Sequence, residues 1–342
     1  MRHPPRKIAH PIRGHYTSHG IKSVEWLPTG FLPAPRPTLM LRSFLLYLSE
    51  RQTPKNLLTR LPAARRLPLR FIAGEELEDA ARVVRRLNEE GFEATLDYLG
   101  ESVRDRGGAA EASRVYAGIL DRLAAAGLRA NVSVKLTQLG LDIGPEVAHQ
   151  NLASILDAAR RLRSFVRIDM EGSAYTQSTL RIFYEAGAPR DVLGVVIQAY
   201  LFRSAADVED LLRHGARIRL VKGAYQEPAS LAFPRKADVD RNFVRLMEKL
   251  LASDGYHAIA THDPAMIRAT LEFARGRGLG PERFEFQMLY GIRRDLQRAL
   301  RREGYRVRVY VPFGRQWYPY FVRRLAERPA NVLFLLRNLW RA

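Results

Sequence analysis

The chain has 342 residues, of which 46% are hydrophobic and 27% are charged, enough to bury the core of one large domain or two small ones. It has no cysteine, which excludes disulfides, thiolate metal sites and cysteine nucleophiles and is compatible with a reducing intracellular compartment. The formal net charge is +19, but the arginines are scattered and form no single basic arm, so we expect no nucleic-acid partner.

The N-terminal part divides into two segments by composition. Residues 1–37 are rich in proline and histidine without periodicity, which predicts a flexible extension. Residues 38–92 are predicted to be a helical segment. Within it, the dense apolar run Leu39–Leu48 is either a helix packed on the body of the protein or an interfacial anchor, and Glu75–Leu87 has the spacing of an amphipathic helix.

From residue 93 to residue 342 the chain alternates short β-branched runs with longer helical stretches. Each gap between runs has room for one helix, so the pattern is βα repeated eight times, and we predict an α/β fold of the (βα)8 TIM-type barrel. The eight predicted strands are Glu93–Leu99, Asn131–Leu136, Phe165–Met170, Gly194–Tyr200, Arg217–Gly223, His257–His262, Arg283–Leu289 and Arg306–Pro312.

Alternation within the strands predicts a polar barrel interior. Val132 and Val134 share one face of the second strand, while Ser133 and Lys135 share the other. We expect the apolar face to pack on the helices and the polar face to line the lumen. The lumen of such barrels is ordinarily filled by Val, Ile and Leu, so the polar residues suggest a large polar cofactor at the top of the barrel.

Polar residues near the C-terminal ends of the strands form the first candidate site, because active sites of this fold lie there. These residues are Lys135, Asp169, Gln198, Arg219, Lys222, Thr261, His262 and Gln287. A second group lies on one stripe of the predicted last helix and is suited to binding a carboxylate. It consists of Tyr320, Arg323, Arg324 and Glu327. No GxGxxG motif follows a predicted strand, and the histidines lack ligand spacing, so we predict neither a Rossmann site nor a metal.

Eight segments of the chain resemble the proline dehydrogenase family, specifically its monofunctional bacterial branch. They occur in family order and cover the chain from about residue 40 to the end. They are TLDYLGE (95–101), VSVKLTQLG (132–140), RIDMEGS (167–173), VIQAYL (196–201), RLVKGAYQEP (219–228), ATHDP (260–264), FEFQMLYGI (284–292) and YVPFGRQWYPYFVRRLAERPAN (310–331).

This resemblance implies a distorted barrel that holds FAD and oxidises L-proline to Δ1-pyrroline-5-carboxylate by hydride transfer to flavin N5. Asp169 and Arg219 would be the catalytic residues, with Arg219 also against the flavin. Lys135, Arg323 and Arg324 would bind the proline carboxylate. The remaining implied roles are substrate packing by Leu220 and Tyr310, a gating ion pair between Glu101 and Arg324, and flavin contacts by Met170, Gln198, Lys222, Gly223, Ala224, Tyr225, Thr261 and His262.

The resemblance also implies partners and leaves alternatives open. Electrons would pass to a quinone, and a separate pyrroline-5-carboxylate dehydrogenase would carry out the next step. We expect a cytoplasmic protein, peripheral on the inner face of the bacterial membrane. One alternative is a related flavin enzyme acting on another cyclic or N-alkyl amino acid, for which Tyr310 is the discriminating position. The other is a non-catalytic basic protein that binds nucleic acid or membrane, which would lack the yellow colour of a flavoprotein.

The apolar run Leu39–Leu48 and the net charge of +19 predict reversible attachment to anionic membranes, since an apolar helix and a basic surface are complementary attachment signals. We expect co-sedimentation with anionic liposomes that weakens as salt rises. Deleting residues 1–48 should abolish lipid binding and leave activity intact. Insolubility or loss of flavin on deletion would instead mean that the segment belongs to the fold.

Overall fold

The computed structural model describes residues 68–100 and 103–326. Its eight strands are all parallel and follow one another in sequence order around a closed barrel, with β8 pairing back onto β1. The strands are β1 Glu93–Tyr98, β2 Ala130–Val134, β3 Val166–Ile168, β4 Leu193–Gln198, β5 Arg217–Val221, β6 His257–Ala260, β7 Phe284–Leu289 and β8 Arg306–Phe313. The predicted (βα)8 barrel is therefore confirmed.

Within residues 68–100 and 103–326, one α-helix precedes β1 and one α-helix follows each strand. They are α1 Leu77–Glu89, α2 Arg106–Ala125, α3 Pro145–Arg161, α4 Ser173–Glu185, α5 Ser204–Arg213, α6 Lys236–Leu251, α7 Pro264–Gly276, α8 Arg294–Arg302 and α9 Trp317–Ala326. The predicted helix Glu75–Leu87 corresponds to α1, displaced by two residues. Residues 1–37, the run Leu39–Leu48, Glu101 and Glu327 lie outside the described residues.

Several strands end about two residues earlier than their sequence patterns predicted. β2 ends at Val134 and β3 at Ile168, so Lys135 and Asp169 lie just beyond the hydrogen-bonded ladder. The apolar and polar alternation continues past the last strand hydrogen bond, which is why sequence alone placed these residues in the strands. Their position after the ladder brings their side chains to the C-terminal rim of the barrel.

As the alternation predicted, the strands have an apolar face toward the helices and a polar face toward the lumen. Val132, Val134, Val307, Val309 and Val311 are buried in the main apolar core together with residues of the surrounding helices. Polar residues of the other face meet inside the lumen. The guanidinium of Arg219 on β5, for example, donates to Ser133 Oγ on β2 at 3.0 Å, although these two strands are not neighbours in the sheet.

The ring of helices is distorted at the junction of β8 and β1. Helix α1 packs there against both strands. It is flanked by α2 through Arg122–Glu78 (2.7 Å) and by α8 through Arg298–Glu90 (3.0 Å). Helix α9 instead packs on the turn Pro68–Arg70 and on residues that follow β1 and β7, in a separate apolar cluster. The family resemblance implies a distorted barrel. The distortion is that α1, and not α9, packs against β8 and β1 in the ring of helices.

The opposite, N-terminal end of the lumen contains a buried ion pair. Arg308 Nε donates to both carboxylate oxygens of Glu285, at 3.0 and 3.1 Å, and its other nitrogens reach Ala94 O and Glu93. Burial alone would raise the pKa of Glu285, but Arg308 outweighs it and the pKa falls to about 2. The ion pair therefore stabilises the fold wherever the carboxylate is ionised.

No helix among the described residues is long and apolar enough to cross a membrane. The apolar surface of these helices is instead used for packing on the barrel.

The substitution Glu285→Gln should destabilise the protein by about 3 kcal/mol, because it removes the more buried of the two carboxylates that compensate Arg308 and leaves Glu93. Since the pKa of Glu285 is lowered to about 2, its contribution is present above the ordinary value of 4.5 and is lost as pH falls toward 2. Urea unfolding at several pH values would measure both effects. The exposed Asp157→Asn is the control, and a Glu285→Gln variant with the wild-type acid profile would contradict this account.

Candidate active site

Asp169 lies at the centre of a polar cluster at the C-terminal rim of the lumen. Its Oδ1 accepts a 2.7 Å hydrogen bond from the Arg219 guanidinium, and its Oδ2 accepts one of 2.7 Å from the Tyr310 hydroxyl. The Arg219 guanidinium carbon is also 5.3 Å from the centroid of the Tyr310 ring. Residues from β3, β5 and β8 are joined in this way through one carboxylate.

Lys135 extends the cluster toward β1. Its Nζ is 2.6 Å from Asp97 Oδ1 and 3.9 Å from Asp169 Oδ2. Lys135 is 8% exposed and Asp97 is 1% exposed, so both charges are withdrawn from water. A buried ammonium group keeps its charge only when anions compensate it. Lys135 is thus held by two carboxylates at the rim, where a ligand entering from the top would meet it.

Burial raises the pKa of two groups in this cluster, the Asp97 carboxyl beside Lys135 and the Tyr310 phenol beside Asp169. Burial raises the pKa of Asp97 above its ordinary value, against the opposing effect of Lys135. Burial and then the Asp169 carboxylate raise the pKa of Tyr310 well above its ordinary value. The Tyr310 phenol is therefore neutral at physiological pH and serves as a hydrogen-bond donor.

A second group of predicted residues lies at the end of β4 and just after β3 and β6. Met170, Gln198 and Thr261 are all buried. The Gln198 side-chain amide donates to Glu171 O at 2.9 Å, which ties the ends of β4 and β3 together. His262 Nε2 accepts a 2.8 Å hydrogen bond from the Leu289 backbone N–H, so this ring nitrogen carries no proton.

The end of β5 carries the predicted residues Lys222 to Tyr225. Lys222 Nζ contacts Asp263 Oδ2 at 2.7 Å and also pairs with Asp240. Gly223 has a φ of +118°, and a side chain at this position would collide with the Tyr200 ring. This position therefore requires glycine. Ala224 and Tyr225 beyond it are exposed.

Leu220 is the predicted substrate-packing residue that the structure does not bring into the cluster. It is fully buried in the apolar core between the barrel and its helices. Successive side chains of a strand point to opposite faces, and Arg219 next to it points into the lumen. The apolar character of Leu220 is explained by that packing.

The predicted carboxylate-binding residues of the last helix lie on α9. The Arg324 guanidinium carbon is 5.2 Å from the centroid of the Tyr320 ring, as the spacing of four residues predicted. Phe321 and Val322 form its buried packing face. Arg323 and Arg324 are half-buried. Glu101, the predicted gating partner of Arg324, is outside the described residues.

Two buried carboxylates of this rim were not included among the predicted site residues. Asp97 lies within the first predicted strand, Glu93–Leu99, but alternation along one strand does not reveal its ion pair with Lys135. Glu171 is 6% exposed and accepts hydrogen bonds from the Thr137 hydroxyl (2.6 Å) and backbone N–H (3.2 Å). Asp97 lies next to the last residue of β1 and Glu171 lies three residues after β3, so a position near a strand end is the signal that could have identified them.

The Proline dehydrogenase family model matches residues 80–337, most of the chain. The chain belongs to the proline dehydrogenase family. This membership confirms the family resemblance and the class of enzyme, an oxidoreductase. The matched range includes the whole barrel and therefore every residue of the cluster around Asp169.

Individual relatives agree with this assignment. Proline dehydrogenase 1 of Bacillus subtilis (strain 168) is 41% identical over 304 residues, covering 88% of this chain and 99% of that protein. Proline dehydrogenase of Deinococcus radiodurans is 41% identical over 277 residues, covering 79% and 89%. Among solved structures, proline utilization A from Bdellovibrio bacteriovorus inactivated by N-propargylglycine has a TM-score of 0.75 at 25% identity, covering 85% of this chain and 37% of that one.

The contacts of Asp169 predict that two substitutions lower the catalytic efficiency by different amounts. Asp169→Asn leaves the buried Arg219 without its anion and should cost about 2–5 kcal/mol of transition-state stabilisation. Tyr310→Phe removes one hydrogen bond to a charged group and should cost less, about 1.5–3 kcal/mol. The ratio kcat/KM for proline measures both, with the exposed Asp121→Asn as control. An Asp169→Asn variant as active as wild type would refute the central place of this carboxylate.

Proposed function

We propose that the protein is an FAD-dependent enzyme that oxidises L-proline to Δ1-pyrroline-5-carboxylate, the first step of proline catabolism to glutamate, and passes the electrons to a quinone. The observation that carries this proposal is the cluster of the buried cations Lys135 and Arg219 with the partly buried Asp169 and Tyr310, at the rim of the barrel of a proline dehydrogenase family member.

The residues of the rim fit a flavin. Arg219 Nε is buried and has no hydrogen-bond partner within the described part of the chain, although the same guanidinium donates to Asp169 and Ser133. A buried donor of this kind is open to a partner that the described residues do not supply, and a bound flavin would provide one. Gln198, Thr261 and His262 supply further polar atoms at adjacent strand ends. When bound, the flavin would accept at N5 the hydride from the substrate carbon beside nitrogen.

The remaining proposed cofactor residues lie at neighbouring strand ends. Met170 offers an apolar contact beside Asp169, and Gly223 to Tyr225 offer backbone and an exposed aromatic ring. Lys222 forms ion pairs with Asp240 and Asp263. We therefore propose that it contributes to flavin binding by fixing the loop after β5 and by its positive charge.

Proline carries a carboxylate, a secondary amine and a small apolar ring, and the site offers a complement to each. Lys135 would bind the carboxylate from the lumen side. Arg323 and Arg324 would bind it from α9, because a guanidinium matches the planar geometry of a carboxylate. The face of Tyr310 would contact the ring methylenes. We propose that Glu101 then pairs with Arg324 and closes the site over the substrate.

Asp169 has an orienting role in this proposal. It holds Arg219 and Tyr310 in fixed positions through two 2.7 Å hydrogen bonds, which restricts where the substrate can lie. Positioning is the main contribution a protein makes when the cofactor supplies the redox chemistry. The amine must lose its proton before hydride transfer, and the positive charges of Lys135 and Arg219 favour the neutral amine.

The electron acceptor and the location follow from the same proposal. We propose that the electrons taken from proline pass to a quinone in the cytoplasmic membrane, which a cytoplasmic protein attached reversibly to the inner face would reach. The product would leave for a separate pyrroline-5-carboxylate dehydrogenase.

Purified protein should be yellow, and the chromophore released by denaturation should be FAD. Arg323→Met should retain the flavin but lose about 2–5 kcal/mol of transition-state stabilisation, the scale for removing one partner of a desolvated charge pair. Chromatography of the released chromophore and kcat/KM for proline, with a quinone and with oxygen as acceptors, measure these outcomes. A colourless protein that takes up no added FAD would refute the proposal.

A further inference from the structure

Glu227 connects three loops at the top of the barrel. It lies in the loop that follows β5, and its carboxylate accepts a hydrogen bond of 2.7 Å from the backbone N–H of Ser173. The Ser173 hydroxyl donates to its second oxygen, and the Tyr200 hydroxyl lies 3.4 Å from the first. Ser173 follows β3 and Tyr200 follows β4, so one carboxylate joins the loops after three consecutive strands.

The contact with Ser173 is a helix cap supplied from a distant part of the chain. Ser173 is the first residue of α4, and the N-cap residue Gly172 provides no side-chain cap of its own. The first N–H groups of a helix need acceptors, and an anion there is favoured by the helix dipole. Glu227, which is 54 residues later in sequence, provides both the acceptor and the charge.

The loops after β4 and β5 are also joined directly through their backbones. Tyr200 N donates to Lys222 O at 2.8 Å, and Phe233 N donates to Tyr200 O at 2.8 Å. The Tyr200 ring lies against Gly223, where no side chain fits. By contrast, Glu227 reaches across to the β3 side, where Met170 and Asp169 lie.

We propose that Glu227 is a positioning residue that fixes the loops carrying Met170, Gln198 and Gly223 to Tyr225 relative to one another, and thereby sets how tightly FAD is held. This inference rests on the proposed function, in which these loops bind the flavin. Glu227 itself touches neither the flavin nor the substrate in this proposal.

A purely structural cap would behave differently from a positioning residue. Loss of a cap alone lowers stability but leaves the affinity for FAD unchanged, because the folded protein still presents the same loops. Loss of a residue that aligns the loops weakens FAD binding by the folded protein. Asp105 offers a matched control, since it is the N-cap of α2 and its side chain accepts from Gly108 N at 2.8 Å.

The test compares full-length wild type with Glu227→Ala, Glu227→Gln and Asp105→Ala. The Kd for FAD is measured by titrating flavin-stripped protein, with quenching of flavin fluorescence as the readout, and Tm is measured on the stripped protein. We expect Glu227→Ala to raise the Kd about tenfold, which corresponds to about 1.4 kcal/mol of lost binding free energy. Glu227→Gln, which keeps one acceptor, should lie between it and wild type. Asp105→Ala should lower Tm similarly and leave the Kd unchanged.

Two results would overturn the inference: a wild-type Kd in the folded Glu227 variants, or an equal rise of the Kd in Asp105→Ala. If Glu227→Ala does not fold, the comparison of Glu227→Gln with Asp105→Ala decides. Failure of the proposed function gives a distinct result, because stripped wild-type protein would then bind no FAD at all.

Discussion

The site depends on one partly buried carboxylate, that of Asp169, which accepts hydrogen bonds from donors on two separate strands of the barrel. Asp169 follows β3, while Arg219 and Tyr310 come from β5 and β8, and only closure of the sheet brings the three together. A buried cation such as Arg219 requires an anion, and Asp169 supplies it. The same carboxylate lies 3.9 Å from Lys135, so positive charge is concentrated at the rim without being left uncompensated. This balance allows a polar lumen in a fold whose interior is ordinarily apolar.

The two ends of the lumen use buried charge for different purposes. At the N-terminal end, Arg308 is satisfied by Glu285, Glu93 and the Ala94 carbonyl, an arrangement that stabilises the barrel. At the C-terminal end, Arg219 keeps a buried Nε without a partner among the described residues. Helix α9 packs on residues that follow β1 and β7, while α1 packs against β1 and β8 in the ring of helices.

Much of the fold could be predicted because it depends on local periodicity. The eight strands and the division of Val132 and Val134 from Ser133 and Lys135 follow from alternation alone. Contacts between distant residues could not be predicted in this way, because they depend on barrel closure and on loop paths. The pair of Asp97 with Lys135 and the cap that Glu227 places on Ser173 are of this kind. For Leu220 the two kinds of sequence signal differ. The family motif implies a contact with the substrate, whereas strand alternation points its side chain away from the lumen, into the apolar core.

The central claim is that this rim presents proline to a bound flavin. Anaerobic mixing of the purified, flavin-loaded protein with L-proline, followed by flavin absorbance, tests it most directly because no electron acceptor is involved. The account predicts that proline removes the absorbance of the oxidised flavin, and that an acyclic amino acid of similar size such as L-valine does not. An oxidised spectrum that persists with saturating proline would contradict it.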